Sequence, residues 1–171
     1  MFQVNDTVVY GSDGICVIEE IAARTFDHKT QEYYVLRPLY GNQSTIFVPT
    51  QNPRLCAKMR TLLTSEEIYA IIRGLPSAEP VWIDNDALRK QRYTEILRSG
   101  DRRDILRLLK TLRLHQRKLR DSGRKFHASD ERFLKEAERV LYGEFAHVLH
   151  LEPAQVEPMI LREIQQVESG S

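Results

Sequence analysis

The 171-residue sequence lacks most of the features that mark metal, redox or membrane proteins. It contains only two cysteines, Cys16 and Cys56, and neither is spaced with a histidine as zinc ligands are. No apolar run approaches the roughly 20 residues needed to cross a bilayer. The N-terminus also lacks the basic flank and apolar core of a signal peptide. We therefore expect reduced thiols, no metal and a cytoplasmic protein.

Signatures of catalysis are missing as well. The sequence has no glycine-rich loop of the kind that holds phosphates, and no serine in a nucleophile-elbow motif. Glu144 and His147 have the i, i+3 spacing that di-iron proteins use, but a second such pair and further glutamate ligands do not accompany them. We therefore expect no enzyme activity and no cofactor.

Charge is distributed unevenly along the chain, although the net charge is only +1. Residues 86–125 carry 14 Lys and Arg against 5 Asp and Glu, a local charge of +9, whereas residues 126–171 carry 4 against 9. A basic block in a near-neutral protein is a candidate surface for binding a polyanion. The alternative is a solvated helix face that pairs with the acidic C-terminal segment. The charge count alone leaves both open.

The first 50 residues have the pattern of short strands separated by turns. Four segments are rich in β-branched and aromatic residues: DTVVYG, GICVIEEIA, EYYVLRPL and STIFVP. Turn-forming residues separate them at 11–14, 27–30 and 40–44. The pattern predicts a small, strongly bent antiparallel sheet or partial barrel, a type of fold that is common among interaction modules.

After Cys56 the pattern becomes helical and predicts about five helices. The predicted starts are marked by residues that cap or begin helices: Thr64, the Asp and Asn residues at 84–86, Asp101, Ser129 and Pro153. We place a strand-rich domain at 1–60 and a helical domain at 61–168, with a linker around 53–64.

The only tryptophan, Trp82, comes just before the basic block. One interpretation is that Trp82 anchors its segment on the helical core. The other is that the indole is an apolar wedge, since proteins that bind the minor groove insert such side chains between base steps. Asp84 and Asp86 follow Trp82 and would repel phosphates, so the sequence leaves both interpretations open.

Several motifs together resemble the CarD/CdnL family of bacterial transcription regulators. The pattern FxVxDxVVYxxxGxxxIExI begins at Phe2 and is followed by QEYYVLR and by VPxxN at 48–52. LRSGDRRDILRLLKTL and DERFLKEAERVL resemble the second half of the same family. The resemblance covers nearly the whole chain in the family's order. Its first half is shared with the RNA-polymerase-interacting domain of transcription-repair coupling factors.

The resemblance implies an α+β protein of two domains, in which a small Tudor-like or SH3-like antiparallel β-barrel precedes an all-α helical bundle. The barrel is expected to bind the β subunit of RNA polymerase. The bundle is expected to contact promoter DNA near the upstream edge of the transcription bubble, through the backbone and minor groove and without sequence specificity. Such a protein would act as a monomer in the complex, associated with the nucleoid, and would change the stability of the open complex.

The resemblance also implies particular site residues. Arg24, Thr25 and Phe26 match a polymerase contact, and Phe47 stands where the family often has an arginine. The alternative for Phe26 and Phe47 is packing in the barrel core. Trp82 matches a tryptophan at the start of the family's basic helix, although it lies several residues earlier. The expected DNA-contacting residues are Trp82, Arg89, Lys90, Arg92, Arg124, Lys125 and Arg132.

Two other functions fit the same sequence. A free-standing adaptor could bind RNA or the ribosome through the small barrel. RNA-binding sheets of that kind interleave aromatic residues with Lys and Arg, and the neutral charge of residues 1–60 argues against this. The basic helices could instead bind an acidic protein partner.

Overall fold

The computed structural model describes residues 1–41 and 44–170 and divides the chain into two compact units, Met1–Leu62 and Leu63–Ser171. The first unit is a five-stranded antiparallel sheet with short helical turns. In the second unit, every regular element that the structure describes is helical. A β domain followed by a helical domain is therefore confirmed. No helix among the described residues is long and apolar enough to cross a membrane.

The sheet of the first unit is built around one long hairpin. Its strands are β1 (Thr7–Tyr10), β2 (Ile15–Phe26), β3 (Lys29–Pro38), β4 (Ile46–Pro49) and β5 (Met59–Thr61), with a short helix α1 (Pro53–Cys56) before β5. Their order across the sheet is β4-β3-β2-β1-β5. Asp27 and His28 join β2 to β3 with φ angles of +50° and +62°, as a two-residue type I′ turn requires. The turn predicted at 27–30 is present but shorter, because Lys29 and Thr30 already belong to β3. The turn predicted at 40–44 includes Asn42 and Gln43, which lie outside the described residues.

The core of the first unit lies on one face of this sheet. Its buried residues come from every strand: Val8, Tyr10, Cys16, Ile18, Tyr34, Leu36, Val48 and Met59. Cys16 is part of this core, and burial together with the nearby Asp13 carboxylate raises the pKa of its thiol to about 12. Both cysteines are free thiols. The Cys16 side chain therefore acts as a small buried hydrophobe.

Five helices form the second unit: α2 (Ser65–Gly74), α3 (Asp86–Ser99), α4 (Arg102–Asp121), α5 (Ala128–Leu149) and α6 (Pro153–Ser169). The predicted capping box between Thr64 and Glu67 is present at the start of α2. The predicted start of α5 at Ser129 is wrong. The backbone N–H of Glu131 donates to the carbonyl of His127, so the helix begins one residue before Ser129.

A buried ion pair crosses the core of the helical unit. Arg102 donates from Nε and Nη2 to the carboxylate oxygens of Glu144, at 2.8 and 3.0 Å. Glu144 also accepts a hydrogen bond from the backbone N–H of Leu63 at 2.9 Å. Both oxygens of the Glu144 carboxylate therefore accept hydrogen bonds from within the helical unit. Within residues 1–41 and 44–170, no group of His, Cys, Asp and Glu side chains is arranged to hold a metal ion.

Candidate functional site

Three aromatic rings contact one another on the face of the sheet opposite the core of the first unit. The ring centroids of Phe26 and Phe47 are 5.2 Å apart, and Tyr33 lies 5.3 Å from Phe26 and 6.0 Å from Phe47. Phe26 is 44% exposed and Phe47 is 38% exposed, whereas Tyr33 is buried. The neighbouring Val48 points to the core and is fully buried. We call Phe26, Tyr33 and Phe47 the aromatic patch, and the core interpretation of Phe26 and Phe47 is wrong.

Strand alternation places Arg24 beside the aromatic patch and Thr25 on the other face. Arg24 pairs with Gln31 across β2 and β3, two positions from the pair formed by Phe26. Its Nη2 atom lies 2.7 Å from the carboxylate of Glu20, and both side chains are partly exposed. Thr25 instead shares a hydrogen bond of 2.6 Å with the hydroxyl of Thr30. Its side chain therefore supports the hairpin and does not extend the patch.

In the helical unit, Trp82 is half-buried and packs against the core. Its indole stacks on the imidazole of His115, with ring centroids 3.5 Å apart and planes 18° apart. The indole N–H donates to a carboxylate oxygen of Asp84 at 2.9 Å. Asp84 thus holds the ring in place. Trp82 therefore anchors its segment on the helical core, as the first interpretation predicts, and its side chain is partly exposed.

Arg89 lies next to Trp82 and is only 2% exposed. Its guanidinium carbon sits 4.5 Å from the centroid of the indole, within cation–π distance. Nε and Nη2 donate to the two carboxylate oxygens of buried Asp130 at 3.0 and 3.2 Å, and Nη2 also donates to Asp86 at 2.8 Å. Burial opposes the charge, but the hydrogen bonds to Asp130 and Asp86 outweigh it and raise the pKa of Arg89.

The remaining two N–H groups of Arg89 bind the backbone that carries Trp82. Nη1 donates to the carbonyl oxygens of Ile83 and Asp84, at 3.0 and 3.2 Å. A guanidinium has five N–H donors, and all five are used here within the protein. Arg89 was predicted to contact DNA, and this placement corrects that prediction because no donor is left for a phosphate.

Polar residues of α4 hold the segment that precedes Trp82, which begins with the 3-10 turn Leu75–Ser77. Lys110 donates to the carbonyl oxygens of Leu75 and Ala78, both at 2.9 Å, and Arg107 donates to that of Glu79. Thr111 accepts from the backbone N–H of Val81 at 2.9 Å. We call Arg107, Lys110, Thr111 and His115 the α4 row, because their spacing puts them along one side of the helix.

His115 ends the α4 row and carries the stacked imidazole. Burial lowers the pKa of His115, the positive charges of Arg89, Lys118 and Arg124 lower it further, and the carboxylate of Asp130 opposes them. The imidazole beneath Trp82 is therefore held in its neutral form at neutral pH. Lys118 and Arg124 thus lie close enough to His115 for their positive charges to lower its pKa.

The basic block of residues 86–125 divides into internal and exposed side chains. Five of its members bind partners inside the helical unit: Arg89, Arg102, Arg107, Lys110 and Arg113. Arg92 forms an exposed ion pair with Glu95 at 3.5 Å. Eight others are exposed and form no ion pair with any residue that the structure describes: Lys90, Arg98, Arg103, Arg117, Lys118, Arg120, Arg124 and Lys125. The block is therefore neither wholly solvated nor wholly available to a ligand.

We call Trp82, Asp84, Arg89, His115 and Asp130 the Trp82 assembly. Some exposed basic residues lie close to it in sequence. They are Lys90, Lys118, Arg124, Lys125 and Arg132, which we call the basic rim. Lys90 follows Arg89, Lys118 comes three residues after His115, and Arg132 comes two residues after Asp130. Arg124 and Lys125 precede Phe126, whose ring centroid is 6.3 Å from that of His115. The charges of Lys118 and Arg124 act on His115, so these two lie near the stacked rings; Lys90, Lys125 and Arg132 are grouped with them by sequence position.

Comparison with known families assigns the first unit. Residues 2–63 match the family described as CarD-like/TRCF RID domain, which is an RNA-polymerase-interacting domain. Residues 2–63 are a CarD-like domain. The family resemblance predicted from the sequence is confirmed for residues 2–63, and the aromatic patch with Arg24 lies on this CarD-like domain.

Similarity to a relative extends beyond the CarD-like domain. YdeB of Bacillus subtilis (strain 168), provisionally named a transcription factor, is 28% identical over 147 residues. The alignment covers 79% of this chain and 93% of YdeB. An alignment of that extent cannot fit within residues 2–63, so it includes part of the helical unit that follows the CarD-like domain.

Sequence reasoning missed two residues of the Trp82 assembly, His115 and Asp130. Periodicity carried a signal for the first, because His115 continues the buried stripe of Leu108 and Leu112 on α4. Arg89 likewise falls on the buried stripe of Tyr93 and Ile96 on α3. A polar residue on such a stripe needs a partner, and the partner of Arg89 is Asp130.

Proposed function

We propose that this chain is a non-enzymatic transcription regulator that binds RNA polymerase through its CarD-like domain and promoter DNA through its helical unit. The match of residues 2–63 to an RNA-polymerase-interacting domain carries the proposal. In this proposal the sheet is a Tudor-like partial barrel, the partner is the β subunit, and the protein acts in the cytoplasm at the nucleoid.

The polymerase contact is proposed to be the aromatic patch with Arg24. Two phenylalanines at 44% and 38% exposure offer apolar area that is costly to leave in water. Arg24 is held by a partly exposed ion pair with Glu20 and by an exposed hydrogen bond to the carbonyl oxygen of Ala23. Exposed pairs of this kind contribute little, so the guanidinium can exchange these partners for an acidic residue of the polymerase. An apolar centre with a charged edge is the usual composition of a protein interface.

The DNA contact is proposed to be the edge of Trp82 together with the basic rim and Arg92. Lys and Arg side chains neutralise phosphates without reading sequence, which fits a regulator that acts at many promoters. Unstacking a base step costs a few kcal/mol, so an indole edge is best used where the polymerase has already opened the duplex. The protein would then change how long the open complex lasts.

A binding assay with the full chain tests the polymerase contact. Phe26→Ser combined with Phe47→Ser should abolish capture of purified β subunit, while Val4→Ser should retain it. Val4 is a matched control because it is 45% exposed in the same unit, away from the patch. Wild-type chain that captures ribosomal material or single-stranded RNA, and no β subunit, would support the RNA adaptor instead.

A salt titration tests the DNA contact. Each phosphate contact steepens the dependence of log K on log salt by about 0.9. Replacing Lys118, Arg124 and Lys125 together by glutamine should therefore flatten the slope by about 2.7. Replacing Arg98 and Arg103, which are exposed but outside the basic rim, should leave it unchanged. Equal slopes for all three proteins would show that the basic rim is a solvated face.

A further inference from the structure

We propose that Arg89 is a positioning residue for Trp82, and that the buried Arg89–Asp130 pair sets the indole in the orientation in which its edge meets DNA. The inference rests on the proposed DNA-binding function and assigns a role to two residues that cannot touch the DNA themselves. Its basis is the set of contacts that joins Asp130, Arg89 and the backbone around Trp82.

The guanidinium connects three parts of the helical unit. It binds Asp130 on α5, Asp86 in the first turn of α3, and the backbone carbonyl oxygens of Ile83 and Asp84. The two carbonyls directly follow Trp82, so the hydrogen bonds fix the chain on the C-terminal side of the indole. The cation–π contact adds a direct contact with the ring.

The N-terminal side of the indole is fixed separately. Val81 donates its N–H to Thr111 at 2.9 Å and accepts the hydroxyl of Tyr93 at 3.0 Å. His115 stacks on the ring at 3.5 Å, and Asp84 accepts the indole N–H at 2.9 Å. Arg89 in turn binds the backbone carbonyl of Asp84, so it also helps to place the carboxylate that holds the ring. Loss of the Arg89 contacts would release residues 82–84 while the segment before them stays attached to α4.

A lysine cannot replace this arginine. The ammonium has three N–H groups on one atom, whereas Arg89 uses five donors spread over a planar fork. A phosphate contact would accept either cation. The identity of the cation at position 89 therefore separates positioning from direct DNA binding.

Asp130 provides a test in which charge and positioning predict opposite results. Its side chain is fully buried, so it does not meet a DNA phosphate directly. Asp130→Asn removes one negative charge, and electrostatics alone would make DNA binding tighter. Loss of the charge-assisted bonds to Arg89 should instead misplace Trp82 and weaken binding.

The experiment uses the full chain, a fluorescein-labelled duplex with a short mismatched bubble, and the emission of Trp82, the only tryptophan. Asp130→Asn and Arg89→Lys should both shift the emission to longer wavelength. Both should also weaken DNA binding about tenfold, which corresponds to a tenth of the molecules keeping Trp82 in the binding orientation. Lys90→Gln is the matched control on the same helix. It should leave the emission unchanged and flatten the salt slope by about 0.9.

Three results would overturn the proposal. These are wild-type emission in both variants, tighter binding by Asp130→Asn, or wild-type DNA affinity in Arg89→Lys. Circular dichroism checks folding, and the milder variant, Asp130→Asn, carries the test if Arg89→Lys does not fold. Failure of the wild-type chain to bind the duplex would instead reject the proposed DNA function, while the emission of the variants still reports on positioning.

Discussion

The imidazole of His115 and the indole of Trp82 stack with centroids 3.5 Å apart in the helical unit. Because the His115 pKa is lowered mainly by burial, the stack is formed by a neutral imidazole. Protonation would place a cation among Arg89, Lys118 and Arg124, with only Asp130 to offset it. The stability of the helical unit is thereby linked to pH.

We expect stability to fall as the pH drops below about 6.5. The unfolded chain takes up a proton at His115 near its ordinary pKa of 6.5, whereas the folded protein resists it to lower pH. Between those two values the unfolded state binds more protons, so the free energy of unfolding decreases as pH decreases. Urea unfolding at pH 7.5 and pH 5.5 measures the difference. His115→Phe keeps a stacked ring without titration and should reduce it, whereas an equal pH dependence in that variant would contradict the prediction.

Trp82→Ala should destabilise the helical unit by about 2 to 3 kcal/mol. Truncating a fully buried tryptophan costs about 3 to 5 kcal/mol, and Trp82 is half-buried. Chemical unfolding followed by circular dichroism measures the loss, because the variant has no tryptophan emission. Trp82→Phe should recover part of it. An unchanged unfolding midpoint would mean that the ring is a free wedge and not an anchor.

Arg24→Glu should abolish binding to the β subunit and change the free energy of unfolding by less than about 0.5 kcal/mol. The side chain is 39% exposed and its only ion pair is with exposed Glu20, so the fold depends little on it. Co-purification and thermal unfolding of the same sample test both parts. Binding by the folded variant would remove Arg24 from the proposed contact.

Glu144→Ala should destabilise the chain by about 3 to 5 kcal/mol, because it leaves the largely buried guanidinium of Arg102 without its carboxylate and the N–H of Leu63 without its acceptor. Glu138→Ala is the matched control on the same helix. Its pair with Arg113 is partly exposed, so we expect a loss of about 1 kcal/mol or less. Urea unfolding compares the two, and equal losses would contradict the role given to burial.

Local signals in the sequence predicted most of the elements. The box of Thr64 and Glu67, and the two-residue turn at Asp27 and His28, are set by contacts within a few residues, and the structure contains both. The start of α5 was misplaced because Ser129 is a good capping residue in isolation. In the structure the helix extends back to Ala128, so Ser129 lies inside its first turn together with Asp130, which is buried against Arg89.

The candidate site was less predictable because its decisive contacts are distant in sequence. Arg89 and Asp130 are 41 positions apart. Helical periodicity sets Arg89 apart from the exposed Lys90, but it does not show which residue is its partner. The outward orientation of Phe47 also depended on register, since a shift of one residue would exchange it with Val48. Composition located the basic segment, and only the packing of the helices separates its internal cations from its exposed ones.

The segment between α2 and α3 differs from an ordinary loop in how it should respond to changes in its length. Loops usually accept an inserted or deleted residue because few contacts fix their backbone. Here three side chains of the α4 row bind the segment at four positions: Lys110 binds Leu75 and Ala78, Arg107 binds Glu79, and Thr111 binds Val81. One added glycine after Glu79 would move Val81 out of step with Thr111 and carry Trp82 away from His115. The number of residues between these contacts and Trp82 therefore determines where the indole lies along α4.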